Sequence, residues 1–329
     1  MDNLTHSLVG LLLARVAMPA NLPRRQWLGV VAANAPDLDL IVSLTPAAYL
    51  VAHRHLTHAV VAIPVMAALS VLLVRLFARL WARYRRTPYQ APPFGAAWLW
   101  ALVPAASHPL LDWTNSYAIR PWLPFDASWS SGNLLFVIEP WLWAALALAA
   151  AAPLLSGRRA LRTASAAGLL AVTGYALWQA QVRNAALAAL AREPADRIAA
   201  FPAPFEPTVR VVYVEEGASQ WVGPFQPSTE AAVDRRSLQR FDRPPQQRAV
   251  EAAWAAPLGR SYRQFSIYPL EWVEPTERGW RVILSDARFV RGDQAGFACV
   301  FELTHELQVL SSEFSFGVAA TTSPSQPKP

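Results

Sequence analysis

Apolar runs long enough to cross a bilayer alternate with short polar, proline-bearing or arginine-bearing stretches through the first half of the chain, and then cease. Three runs are strong, at residues 59–81, 134–155 and 164–180, each near the roughly 20 residues that a helix needs to span the hydrocarbon core. Three more, at 8–18, 27–44 and 96–111, carry or adjoin "THS", "NAPDLD" and "SHPLLDW", polar or proline positions that a lipid-facing helix accommodates only at a cost. The pattern predicts a mainly α protein that opens with a polytopic transmembrane bundle of five to six helices.

After residue 181 the period shortens. "VRVVYVEE" at 209–216, "RQFSIYPLEW" at 263–272, "GWRVILSDARF" at 279–289 and "GFACVFELT" at 296–304 alternate apolar and polar residues between turn signals, as half-buried strands do. The expected organisation is therefore a transmembrane helical domain at 1–181, a helical connector at 182–208, a small β-rich soluble domain at 209–318, and a disordered tail at 319–329.

Composition supports the membrane assignment: 16% of residues are charged, against about 25% in soluble domains. The net charge of +6 does not point to nucleic acid, because the arginines flank apolar runs instead of forming a patch interleaved with aromatics. The single cysteine, Cys299, excludes an intrachain disulfide and a cysteine-rich zinc site. Asp2 stands where a signal peptide has basic residues and Arg15 interrupts the following apolar run, so the N-terminus, with His6, is expected to be retained.

The arginines also predict an orientation. Placing Arg24 and Arg25, the series from Arg75 to Arg86, and Arg158, Arg159 and Arg162 on the cytoplasmic side puts the N-terminus and the C-terminal domain outside, with six crossings. His6, Asp37, Asp39, the run from His53 to His58, His108 and Asp112 then all fall at the outer ends of their helices.

Three of the six histidines lie in "HRHLTH" at 53–58. His108 and Asp112 are spaced i, i+4, which puts both on one helix face, and Asp2 and His6 repeat that spacing. Pro36 interrupts its helix and frees Asp37 and Asp39 to turn toward a common point. No helix presents His53, His55 and His58 on one face, so one or two ligands are expected there, with His53 and His58 the candidates. Imidazoles and carboxylates in this arrangement suit a divalent metal, Zn²⁺ or Mn²⁺ above all, and the donors are numerous enough for two ions. An ion of this kind supports hydrolysis, with Asp39 or His55 as general base and Arg54 or Arg120 holding an anionic substrate group. Taken singly, these residues have blander readings: a solvated helix-end histidine, an N-capping aspartate or threonine, a snorkelling arginine. Their joint appearance on one side of an apolar bundle, where ionisable groups are costly, favours a site.

With these residues assembled, "MDNLTHSLVGLLLAR", "NAPDLDLI", "HRHLTHAV", "SHPLLDWTNSYAIRPWLPF" and "LLFVIEPW" resemble, in order, the YdjM-type family of membrane-bound, metal-dependent hydrolases over about the first 180 residues. The resemblance implies a multi-pass protein of the bacterial inner membrane, with a metal site on His6, Asp37, Asp39, His53, His58, His108 and Asp112. A phosphoester or lipid-linked substrate in the bilayer is the expected partner, and nucleic acid is not. The alternative is a non-enzymatic metal or proton transporter or a metal sensor. The inner halves of the helices are mostly Ala, Leu and Val, which gives a transport path nowhere to continue.

Overall fold

The computed structural model describes residues 1–192, 194–229 and 232–319, with the side chains of 153–160 outside the description. About half of the chain is helical, and the C-terminal region is built from antiparallel sheets. The described residues form α1 (Asn3–Ala17), α2 (Arg25–Asn34), α3 (Pro46–Ala52), α4 (Ile63–Arg85), α5 (Phe94–Trp113), α6 (Pro140–Leu190), α7 (Gln247–Ala255) and α8 (Pro257–Phe265). The chain divides into two units. One comprises Met1–Ile41 and Arg54–Gln181; the other comprises Val42–His53 and Val182–Pro329.

In the first unit, α1 and α2 cross at a pair of glycines. A Cβ on Gly10 would lie 2.6 Å from the Ala33 Cβ, and one on Gly29 would lie 2.6 Å from the Ala14 Cβ, so only hydrogen at both positions permits this approach. The same economy continues outward. Ala97, Ala101 and Ala105 of α5, with Ala67, Val71 and Val74 of α4, pack around Ala14, Leu28 and Ala32. The opposite faces of α4 and α5 expose Val65, Leu72, Leu76 and Leu80, and Leu99, Val103 and Leu110, which is the surface a helix offers to lipid.

Two helices of the described residues are long and apolar enough to cross a membrane, Val60–Arg85 and Phe94–Trp113, where five to six were expected. The causes are local. The 15 residues of α1 rise only about 22 Å, and α2 ends at Asn34, where Pro36 turns the chain into a 3₁₀ segment over Ala35–Val42. The run at 134–155 becomes helical only at Pro140, because Glu139 accepts from the Phe136 N–H at 2.8 Å and closes a turn before it. Within α6 the residues before 153 and after 160 lie against each other. Gly168 leaves room for Ala149, and Tyr175 Oη donates to Glu139 Oε2 at 2.9 Å.

In the second unit, β1 (Arg197–Ala203), β2 (Glu206–Glu216), β3 (Ser219–Phe225) and β4 (Gln239–Asp242) form one antiparallel sheet. A second sheet has the order β10-β9-β6-β5, from β5 (Pro269–Thr276), β6 (Gly279–Asp286), β9 (Ala298–Thr304) and β10 (Val309–Ser315). Three two-residue strands, β7 (Val290–Arg291), β8 (Gln294–Ala295) and β11 (Val318–Ala319), make a third. Phe201 and Tyr213 of the first sheet share a core with Trp272, Ile283 and Val300 of the second. Ala186, Ala189 and Leu190, at the end of α6, cover Val212, Val214 and Phe225. The helix stops at Leu190 and β1 begins at Arg197, so the helical connector expected at 182–208 is helical only in its first part and already contains β1 and the start of β2. The run at 263–272 is divided as well. Residues 263–265 finish α8, and Asp286 accepts from the N–H groups of Ile267 and Tyr268 at 2.7 and 2.9 Å, forcing a turn before β5. Short helix α3 starts with Thr45 capping the Ala48 N–H at 3.2 Å and packs against α8. The tail expected at 319–329 lies, after Ala319, outside the described residues.

The glycine crossing is open to test. Gly10→Ala or Gly29→Ala inserts a methyl group where none fits, an overpacking that costs about 1–3 kcal/mol. Each variant is expected to lower the thermal midpoint of the detergent-solubilised protein. Gly95→Ala, whose Cβ would meet nothing within 4 Å, leaves it unchanged.

Candidate metal centre

Asp37, His58, His108 and Asp112 each bring one donor atom to a common point, all within 4.8 Å of one another. Asp37 lies in the 3₁₀ segment that Pro36 initiates, and His58 closes a 3₁₀ turn over Leu56–His58. His108 and Asp112 continue the buried stripe of Ala97, Ala101 and Ala105 on α5, so the face that packs tightly through alanine ends in two polar groups. His58, His108 and Asp112 are essentially inaccessible to solvent.

The separations are regular. His58 Nε2 is 3.1 Å from His108 Nε2, 3.4 Å from Asp37 Oδ1 and 3.3 Å from Asp112 Oδ2. His108 Nε2 is 3.4 Å from Asp37 Oδ1 and 3.5 Å from Asp112 Oδ2. These are five of the six edges among the four atoms, and a regular tetrahedron with edges of that length has its centre about 1.9–2.1 Å from each corner, close to the bond lengths zinc makes to imidazole and carboxylate. Two imidazole nitrogens and two carboxylate oxygens facing one point repel one another unless a proton or a metal cation lies between them. Burial opposes a charge on His58, yet hydrogen bonding to Asp112, Asp37 and Asp39 outweighs it and raises its pKa from the ordinary imidazole value to about 10.

Each donor is oriented from its far side. His108 Nδ1 is 2.6 Å from the Ala33 carbonyl, which accepts the ring N–H and leaves the Nε2 lone pair for the cluster. His58 Nδ1 faces Asp39 Oδ2 at 3.3 Å and Thr57 Oγ1 at 3.0 Å. Asn3 Nδ2 donates to Asp37 Oδ2 at 2.8 Å, turning Oδ1 inward. Asp112 Oδ1 accepts from Arg54 Nη2 at 3.1 Å and from the Met1 amine, leaving Oδ2 for the cluster.

The other residues picked out in the sequence occupy different positions. Asp39 Oδ2 accepts from Thr57 Oγ1 at 2.8 Å and from the Arg54 N–H at 3.1 Å, so it stands behind His58. His6 stacks on His108 with ring centroids 3.8 Å apart, and its Nε2 is 3.4 Å from Asp112 Oδ1. Both of its ring nitrogens are buried without a hydrogen bond of acceptable geometry. His53 is the C-cap of α3 and stacks on Tyr49 at 4.9 Å; with Asp37 and Asp39 it forms a second group of three possible metal ligands. His55 is half-buried, and burial together with the Arg120 charge pushes its pKa below the ordinary value against a smaller upward pull from Asp39. Arg54 is buried, binding Asp112 and, through Nη1, Asn115 Oδ1 at 2.9 Å. The Arg120 guanidinium lies over the Trp129 ring at 4.3 Å. Asp2 caps α1 by accepting from the Thr5 N–H at 3.0 Å and from Trp143 Nε1 at 3.2 Å; it is not among the four donors that converge.

Asn3, the Ala33 carbonyl, the Met1 amine and Asn115 complete the surroundings of the cluster and were not singled out in the sequence. Asn115, three residues past Asp112 in "DWTN", carried a local signal. A backbone carbonyl carries none.

A model of the family described as YdjM inner membrane protein matches residues 1–186. No curated protein and no solved structure matches the chain.

The contact between Asp39 and His58 yields a test. Asp39→Ala removes the acceptor behind a donor imidazole, a loss that typically weakens metal affinity 10–100-fold. Competition with a fluorescent zinc chelator is expected to show that weakening in Asp39→Ala, and an unchanged affinity would remove Asp39 from the centre.

Proposed function

The chain belongs to the YdjM inner membrane protein family, and from that premise we propose that it is a membrane-bound, metal-dependent hydrolase acting on a phosphoester or lipid-linked substrate. The observation that carries the proposal is the convergence of four possible ligand atoms inside an apolar bundle, with five of their six separations at 3.1–3.5 Å. Those lengths favour Zn²⁺. An octahedral ion with the same edges would need bonds of about 2.2–2.5 Å, longer than this donor set gives to small transition metals and in the range of calcium, which prefers oxygen alone.

When bound, such an ion supplies Lewis acidity, polarising a phosphoryl or carbonyl oxygen and acidifying water. The protein's own groups do the rest. His58 and His108 offer neutral nitrogens, Asp37 and Asp112 offset the positive charge, and Asp39 holds the His58 ring in place. We assign proton transfer to His55, which lies three residues before His58 and whose pKa burial and the Arg120 charge hold below the ordinary imidazole value. Arg54 is committed to Asp112 and Asn115, so we give the role of holding an anionic substrate group to Arg120, whose guanidinium lies over Trp129.

The site is assigned to the non-cytoplasmic side. His6 begins α1, His58 precedes α4 and Asp112 ends α5, whereas Arg15, Arg25, Arg83 and Arg85 lie at the other ends of α1, α2 and α4. That polarity supports a cytoplasmic arginine end. It also favours an enzyme over a transporter, since the polar groups occupy one end of the helices.

Metal analysis of the purified protein is expected to find about one zinc per chain, with loss of at least nine-tenths of it in His58→Ala and in His108→Ala. Hydrolysis of a chromogenic phosphodiester in mixed micelles is expected to fall in parallel, while His55→Ala lowers turnover by about 10²–10⁴ with metal retained. Wild-type protein that folds without retaining or binding any divalent metal would overturn the reading. Metal uptake into proteoliposomes without hydrolysis would replace it with transport.

A further inference from the structure

The first unit has a second concentration of charge, at the ends of the helices away from the His/Asp cluster. His6 and Arg15 are nine residues apart on α1, about 14 Å along its axis. Arg15, Arg25 and Arg162, with Gln26, Trp100 and Met18, line a cavity of about 660 Å³, within the range of about 300–1,000 Å³ usual for small-molecule sites. None of the described residues that line it is acidic.

These arginines are only partly occupied. Arg15 Nη1 donates to the Ala150 carbonyl at 2.9 Å and Arg25 Nη1 to the Met18 carbonyl at 2.8 Å, which fixes each guanidinium while leaving most of its N–H groups. Arg15 Nε is buried and has no hydrogen-bond partner. The charge acting on Arg15 is that of Arg25, of the same sign. Two like charges held together by neutral carbonyls, beside a cavity whose described lining has no carboxylate, attract an anion. The first turn of α2 adds to the demand. Arg24, at its N-cap, makes no side-chain capping bond, and the turn holds no acidic residue, so the positive end of the helix also faces this region.

A guanidinium fork matches a phosphate in geometry and charge better than it matches a carbonyl. Trp100, about one-third exposed on the lining, suits the polar–apolar boundary of a bilayer. We propose that this cavity is a binding site for a phosphate-bearing anion, supplied either by the headgroup of an anionic phospholipid or by free phosphate, and held by Arg15, Arg25 and Arg162. The site is separate from the His/Asp cluster and does not depend on the hydrolase reading; it depends on the membrane location of the family.

The test uses the full chain in detergent, with thermal stability followed as phosphatidylglycerol, phosphatidylcholine or inorganic phosphate is added. Phosphatidylglycerol is expected to raise the midpoint by several degrees more than phosphatidylcholine does. Removing an arginine–phosphate contact weakens binding by about tenfold or more, so Arg15→Gln combined with Arg25→Gln should abolish the preference. Arg162→Gln, at an exposed position that does not endanger folding, should displace the titration by about that factor. Arg79→Gln, on the exposed face of α4 and outside the cavity, should leave it intact. Bound zinc is expected to be unchanged in all three variants. An equal midpoint rise from inorganic phosphate alone, lost in the same variants, identifies free phosphate as the ligand. Equal responses to the two lipids without a phosphate response, or a preference that survives in Arg162→Gln and in whatever double variant folds, would overturn the proposal.

Discussion

The carboxylate of Asp112 is buried near the end of an apolar helix, and much of the first unit's polar architecture answers that burial. A lone charge in such surroundings is unfavourable by several kcal/mol even after relaxation. Here each oxygen has its own set of neighbours. Oδ1 meets the Arg54 guanidinium and the Met1 amine; Oδ2 faces His58 and His108. To reach Oδ1, Arg54 adopts a left-handed backbone with φ of 59°, a conformation that residues other than glycine seldom take. Its N–H bond to Asp39, its contact with Asn115 and its position 5.0 Å over the Tyr117 ring hold it there. The turn at Arg54 thereby sets the course of the chain into His58.

The helix crossing at Gly10 and Gly29 makes the same cluster possible from below. His6 is one turn above Gly10, and Ala33, whose carbonyl fixes the His108 tautomer, is one turn beyond Gly29. If the two backbones were separated by the width of a methyl group, the Ala33 carbonyl would no longer sit at hydrogen-bond distance from His108. Small residues inside an apolar bundle thus act on the chemistry through backbone position, because the groups that orient the donors are partly backbone groups.

This explains what could be read in the sequence. The i, i+4 pair of His108 and Asp112 was legible because helical periodicity alone puts both on one face, and Pro36 marked where Asp37 leaves its helix. That His53 and His58 would fall into different groups of possible ligands was not legible. The left-handed residue between them is an arginine, and no glycine advertises the reversal. Span counting met a similar limit. Hydropathy registers an apolar run but not the carboxylate of Glu139 or the proline at 36, which decide where a helix begins or ends. In the β-rich region, alternation located β2, β6 and β9 but missed the end of α8, since the turn there is made by Asp286, some twenty residues downstream.

Residues Val42–His53 leave the first unit between two of its site-bearing segments and join the second, where α3 packs on α8. An excursion of this kind threatens a metal site, because the mobility of a loop is transmitted to whatever its ends carry. The ends here are tied at their base. Asp39, just before the excursion, accepts from the backbone of Arg54, just after it, and also from Thr57, while facing His58. One carboxylate therefore closes the loop and orients a donor imidazole. With the base closed inside the first unit, the contacts given above that orient Asp37, His58, His108 and Asp112 come from residues of that unit. The family match, which ends at residue 186, covers that unit, including all of the residues that hold the site together.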